Sequence, residues 1–124
     1  MRTRIVAMAL VVAPGMASAS QPISESFVQC AQLYDLSNRY DPSRRSTEKG
    51  AMLEQAAAKF MTGAQSEARK EGRSDVSEYL AHMAETKAAD WDAKGRSYVF
   101  TQDFRDWMSY CRSLARSRGI KLRP

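Results

Sequence analysis

The chain contains two cysteines, Cys30 and Cys111, and these are its side chains best suited to covalent chemistry. Redox pairs usually lie close together as C-x-x-C and include a thiol of lowered pKa. Cys30 and Cys111 are far apart and both fall on apolar stripes, so we interpret them as a structural disulfide. Two reduced core cysteines are the alternative, which a reducing compartment would favour. In a chain-entropy model, closing this loop of roughly 80 residues stabilises the fold by about 4 to 5 kcal/mol.

His82 is the only histidine in the sequence, so histidine-dependent catalysis or metal binding would have to involve it. Glu78 and Glu85 lie four residues before it and three after it, on the same side of a helix. Glu78 and His82 could supply two metal ligands, but the sequence offers no evident third ligand and no H-E-x-x-H motif. We therefore interpret this side as a solvated polar face and predict no metal site.

Motifs that would indicate an enzyme or a cofactor protein are absent from the sequence. It contains no G-x-S-x-G element for a serine nucleophile and no C-x-x-C-H motif for covalent haem. The methionines at positions 52, 61, 83 and 108 could bind copper, but their helical spacing indicates core packing. Trp91 and Trp107 could line a ligand pocket, yet aromatic residues in a small protein more often pack its core. The sequence therefore predicts a protein that is not an enzyme and binds no cofactor.

Basic residues are concentrated towards the C-terminus. On a helical wheel, Arg105, Arg112 and Arg116 fall within about 40° of one another, opposite the apolar residues of the same segment. Such a stripe is explained by a solvated face that favours solubility, or by a patch that binds an anionic partner. The full candidate patch consists of Arg105, Arg112, Arg116, Arg118, Lys121 and Arg123.

The first 19 residues have the pattern of a cleavable signal peptide. Arg2 and Arg4 precede an apolar run over residues 5–13, and the small residues at 17–19 suit signal peptidase. The apolar run is too short for a membrane-spanning helix, which needs about 20 residues. We predict cleavage after Ala19, a mature chain of residues 20–124 without a transmembrane segment, and a periplasmic or secreted location.

The elements that must position these residues are helical. Apolar residues recur at steps of three and four, and Gly or Pro separates the segments. This pattern predicts an all-α protein with helices near 24–38, 47–71, 75–94 and 99–118. Short connections favour antiparallel neighbours, so we expect residues 20–124 to form one small, irregular four-helix bundle-like domain. Its first and last helices would be linked by the disulfide.

Helix ends are predicted from capping residues. Ser24 and Ser46 are placed to cap the first two helices, and Asp75 with Glu78 resembles a capping box at the third. Asn38 is expected to end the first helix, and glycines at positions 72, 95 and 119 follow the other three.

The last helix carries the most regular apolar pattern. Its apolar seam has a nearly heptad period and is expected to be buried. The seam consists of Phe100, Phe104, Trp107, Cys111 and Leu114. Beyond Gly119, Ile120 is expected to fold back onto Leu114 or Ala115 in a Schellman-type cap.

We draw three functional hypotheses from the sequence. The first is a non-enzymatic, exported protein that binds another protein or an anionic envelope component through its basic C-terminal stripe. Export makes nucleic acid an unsuitable partner. The second is a stress-responsive periplasmic chaperone or inhibitor-like protein that exposes its apolar seams when the bundle loosens. An enzyme is the third and weakest, because no pair of titratable residues is distinguishable from ordinary surface charge.

Overall fold

The structure, a computed structural model, describes residues 21–123, so the predicted signal peptide and its cleavage site lie outside the described residues. The α-helices of this part are α1 (Ile23–Tyr34), α2 (Leu36–Tyr40), α3 (Glu48–Lys70), α4 (Val76–Asp92) and α5 (Gln102–Ser117). Two 3₁₀-helices, Pro42–Ser46 and Arg96–Phe100, precede α3 and α5, and residues 21–123 contain no strand. The all-α prediction is confirmed.

The first predicted helix is two helices, with the break at Asp35. Both carboxylate oxygens of Asp35 accept from the Arg45 guanidinium, at 2.7 and 3.0 Å. Asn38 does not end the helix as predicted. It lies within α2, where its buried side chain donates a 2.9 Å hydrogen bond to the carbonyl of Gly50. Residues 21–123 therefore contain five α-helices where four were expected.

Of the three predicted N-cap residues, only Asp75 occupies an N-cap position in the structure. Ser24 lies inside α1, which begins after Pro22. Ser46 ends a 3₁₀-helix, and α3 is capped instead by Thr47, whose hydroxyl accepts the third N–H of α3 at 3.0 Å. Asp75 does precede α4, but its side chain makes no capping hydrogen bond, so no capping box forms.

The C-terminal cap of α5 is the Schellman motif that the sequence predicts. Gly119 has a φ of 73°, a left-handed conformation that glycine adopts without strain. The N–H of Ile120 donates to the Ala115 carbonyl at 2.8 Å, and that of Gly119 to the Arg116 carbonyl at 3.2 Å. These bonds turn the chain after α5 back towards α3.

The core forms around α1, which packs against α3, α4 and α5. Phe60 of α3 is fully buried and its ring contacts those of Phe27 and Tyr34, with centroids 6.0 and 5.3 Å apart. Small buried residues on either side of Phe60, at positions 56, 64 and 68, let α3 approach α1 closely. Trp91 is buried as predicted, and its indole N–H donates to the Gln29 carbonyl at 3.0 Å.

The prediction that the seam of α5 is buried along its whole length is wrong at its N-terminal end. Cys111 and Leu114 are buried, but Phe104 and Trp107 are only half-buried. Phe100 is 79% exposed and belongs to the preceding 3₁₀-helix. The buried residues of α5 are confined to its C-terminal half, beside the disulfide to α1. The N-terminal half therefore leaves apolar surface in contact with solvent.

No helix in residues 21–123 combines the length and the apolar composition needed to cross a membrane.

Candidate functional site

The predicted disulfide between Cys30 and Cys111 is confirmed. It joins α1 to α5 with a Cα–Cα distance of 5.6 Å and a sequence separation of 81. Both cysteines are 0% exposed, so neither sulfur is accessible to a substrate. The pair therefore has a structural role and leaves no free cysteine in the described chain.

His82 lies on the solvent-exposed side of α4, with Glu78 and Glu85 also exposed. Within residues 21–123, no group of three or more His, Cys, Asp or Glu side chains is arranged to hold a metal ion. The methionines at positions 61, 83 and 108 are half-buried against the core, as their helical spacing indicates.

The basic stripe of Arg105, Arg112 and Arg116 occupies one exposed side of α5. Arg105 donates to the side-chain oxygen of Gln102 at 3.1 Å, which does not neutralise its charge. None of the three arginines forms an ion pair with an acidic residue in residues 21–123. Their charges are therefore available to an anion in solution.

Arg112 also lies beside Tyr34 of α1. Burial raises the pKa of the Tyr34 hydroxyl, and the charge and hydrogen bond of Arg112 partly offset this effect. The stripe thus reaches the junction of α5 with the core.

The remaining predicted patch residues are exposed but extend past the helix. Arg118 turns towards α3, where its Nε lies 3.7 Å from a carboxylate oxygen of Glu67. The backbone carbonyl of Lys121 accepts from Lys59 at 2.6 Å, which fixes the tail against α3. Arg118 is therefore partly neutralised, whereas Arg105, Arg112 and Arg116 are not.

A groove that sequence reasoning missed lies beside the N-terminal half of α5 and has a volume of about 570 Å³. We call it the Phe100 groove. Its apolar lining consists of Tyr40, Leu53, Val99, Phe100, Phe104 and Met108. Its polar lining consists of Ser37, Asp41, Arg44, Lys49 and Arg96. The groove therefore combines an apolar surface with a cluster of cations.

Arg96, one of the cations of the Phe100 groove, is held by Tyr40 without being neutralised. Arg96 donates to the carbonyl of Tyr40 at 3.1 Å and its guanidinium lies 5.3 Å from the centre of the Tyr40 ring. A hydrogen bond from Ser43 is the main cause of the lowered pKa of Asp41, to which the charges of Arg44 and Arg96 also contribute. Asp41 is the one acidic residue in the lining, against three basic ones.

Arg44 is the most unusual member of this lining. Its Nε is buried and has no hydrogen-bond acceptor among the described residues. Buried N–H groups in proteins are nearly always paired, so the Nε of Arg44 is an exception. Gly50 explains how Arg44 is positioned: a Cβ at Gly50 would lie 1.7 Å from the Arg44 carbonyl oxygen, so only glycine fits there.

A second cluster missed from the sequence surrounds Ser24 at the start of α1. Glu71, just beyond α3, accepts from the Ser24 N–H at 3.0 Å and from its hydroxyl at 2.7 Å. The Ser24 hydroxyl also lies 2.9 Å from that of Tyr79. Ser24 is fully buried, and the geometry is that of a helix N-terminus capped by a distant carboxylate. The cluster therefore stabilises the fold and does not present a nucleophile.

No family model, curated protein or solved structure matches this chain. Function is therefore inferred from its own residues. The arginine stripe could be predicted from the sequence because its residues are regularly spaced on one helix. The Phe100 groove could not, because its lining residues come from 37–53 and 96–108, which meet only in the folded structure.

Proposed function

We propose that this chain is an exported binding protein, and not an enzyme, that recognises an anionic partner through Arg105, Arg112 and Arg116. The partner is an acidic protein surface or an anionic component of the cell envelope. The observation that carries the proposal is the set of three exposed, unneutralised arginines on one side of α5. Clustered charges of one sign raise the local concentration of an oppositely charged partner and speed its association.

Two observations support export to the periplasm or the medium. The N-terminal sequence has the charge, apolar run and small residues of a signal peptide. The buried Cys30–Cys111 disulfide is typical of proteins that fold in an oxidising compartment. Intact-mass measurement of the protein recovered outside the cytoplasm should give a chain that begins at Ser20 and is two hydrogens lighter than its reduced form. An uncleaved chain with two free thiols would contradict export.

The binding proposal is tested with two anionic probes, phosphatidylglycerol vesicles and a polyaspartate resin, at low and high salt. Binding to either should weaken as salt rises, because screening reduces interactions between exposed charges. Changing Arg105, Arg112 and Arg116 together to Glu should abolish it. The matched control changes Arg69, Lys70 and Lys94 to Glu, since these exposed residues lie outside α5 and give the same change in net charge.

The two variants separate the stripe from general electrostatics. Loss of binding in the stripe variant alone supports the proposal. Equal loss in both variants would attribute binding to net charge, and unchanged binding by the stripe variant would remove the stripe from consideration. Circular dichroism of each variant verifies that the helices are retained.

A chaperone is the second candidate function, and the apolar surface of the N-terminal half of α5 favours it. Phe100 is exposed and Phe104 and Trp107 are half-buried, so part of an apolar seam already meets solvent in the folded state. Large exposed apolar patches often mark interaction sites. Suppression of the aggregation of an unfolded client protein, stronger at acidic pH, would support this function; no suppression at any pH would exclude it.

A further inference from the structure

The Phe100 groove has the composition of a ligand site. Its volume of about 570 Å³ falls within the range of about 300 to 1,000 Å³ that small-molecule sites occupy. Phe100 and Tyr110 are the two large hydrophobic side chains exposed in the described chain, and Phe100 is by far the more exposed. The neighbouring Phe104 and Met108 continue its apolar surface along one side of α5. The groove therefore offers an apolar wall that is partly open to solvent.

The charges of the groove indicate which end group a ligand must carry. Arg44, Lys49 and Arg96 form no ion pair within residues 21–123, and Asp41 opposes them alone. Arg44 is half-buried in this lining, so its positive charge acts on the groove although its Nε is itself buried. A carboxylate matches this charge, because a guanidinium forms strong, charge-assisted hydrogen bonds with a carboxylate.

We propose that the Phe100 groove binds a free fatty acid, with its carboxylate at Arg44 and its alkyl chain along Phe100, Phe104 and Met108. The apolar chain covers surface that is otherwise exposed, and the carboxylate balances the excess positive charge of the lining. Lys49 and Arg96 add attraction for the same negative charge. This site is separate from the arginine stripe, and the inference does not depend on the proposed function.

The shape of the groove favours a single chain over a bilayer or a protein. Insertion into a bilayer requires several apolar side chains that project beyond the surface, whereas here Phe100 projects and the other five apolar lining residues are half-buried in the walls. Stable protein interfaces bury about 800 Å² on each partner around an apolar centre. A concave groove with charges in its lining instead suits one elongated amphiphile.

The test is calorimetric titration of the protein, residues 20–124 with the disulfide formed, by octanoate, decanoate and dodecanoate below their micelle concentrations. Affinity should rise with chain length by up to about fourfold for each buried methylene. Dodecanol and dodecyltrimethylammonium carry the same chain without the negative charge, and each should bind at least about tenfold more weakly than dodecanoate.

Variants assign binding to the groove. Arg44→Gln should weaken dodecanoate about tenfold with little effect on dodecanol, because it removes the charged donor. Phe100→Ala should weaken both ligands by several fold. Tyr110→Ala is the matched control, since Tyr110 is the other exposed aromatic residue but does not line the groove.

Three results would overturn the proposal: equal affinity for the anionic, neutral and cationic ligands, wild-type affinity in both groove variants, or binding to phosphatidylglycerol vesicles without any binding of monomeric dodecanoate. The double variant Arg112→Gln, Arg116→Gln separates the two sites. It should lose salt-sensitive binding to the anionic probes and keep its affinity for dodecanoate, so failure of one proposal is distinguishable from failure of the other.

Discussion

The carboxylate of Glu71 caps the first turn of α1 by accepting both the backbone N–H and the hydroxyl proton of Ser24, 47 residues earlier in the chain. The contact ties the C-terminal end of α3 to the start of α1. A negative charge at a helix N-terminus is favourable because backbone N–H groups there are unpaired and the helix dipole is positive. Glu71 therefore caps the helix that the sequence predicted Ser24 to cap.

Glu71→Gln should destabilise the folded protein by about 1 kcal/mol, the usual cost of losing a helix cap. Gln keeps the size of the side chain but removes the charge that binds Ser24 and Arg73. The midpoint of urea unfolding measures the loss. Glu85→Gln is the control, because Glu85 is exposed on α4, and an equal loss in that variant would contradict the capping role.

The contribution of Glu71 should also depend on pH. Burial alone would raise the pKa of its carboxyl, but hydrogen bonds from Ser24 and the nearby Arg73 outweigh burial and hold the pKa below its ordinary value of 4.5. A carboxyl whose pKa is lower in the folded chain than in the unfolded chain stabilises the fold. This stabilisation is complete at pH values above the pKa of the unfolded chain, and it is lost as the pH falls through the pKa of the folded chain. The stability difference between wild type and Glu71→Gln should therefore be constant near neutrality and shrink below pH 4.5. A difference that stays the same down to pH 3 would contradict this linkage.

The all-α fold class and the disulfide could be predicted from the sequence because both depend on local sequence patterns. The apolar steps of three and four mark the buried sides of helices, and two cysteines on such sides of a chain can pair in only one way. The C-terminal cap was predictable for the same reason, since Gly119 and Ile120 are adjacent to the helix that they end.

What was missed depends on residues that meet only after folding. The interruption at Asp35 accompanies its pairing with Arg45, and Asn38 points inward to the backbone of Gly50. The exposure of Phe100 follows from where α5 contacts α1, which an amphipathic pattern does not specify. The Phe100 groove could not be predicted from the sequence either, because its two walls come from separate parts of the chain.

Cys111→Ser should lower the stability of the fold by about 2 to 5 kcal/mol, the usual cost of removing a native disulfide from a small exported domain. The loss of loop closure between α1 and α5 is the main cause in a chain-entropy model. Reduction of the wild type provides a control without any change of side chain, and reduced wild type should unfold at a similar denaturant concentration to the variant. Unchanged stability in both would mean that the cross-link contributes nothing to the fold.

Gly50→Ala should be far more damaging than Gly63→Ala, although both glycines lie in α3. At Gly50 the new Cβ would lie 1.7 Å from the Arg44 carbonyl oxygen and 2.9 Å from the Thr47 hydroxyl, so the backbone of the preceding 3₁₀-helix must move. Such overpacking costs about 3 kcal/mol. At Gly63 the Cβ would lie 3.2 Å from the terminal methyl of the Ile120 side chain, and the gain of about 1 kcal/mol in helix propensity offsets that contact. Thermal unfolding of the two variants measures the difference. Similar stability losses in the two variants would show that the Arg44 carbonyl does not approach Gly50 closely.

The same two variants should also differ in ligand binding. Because Arg44 lines the Phe100 groove, Gly50→Ala should weaken dodecanoate binding, whereas Gly63→Ala should leave it unchanged.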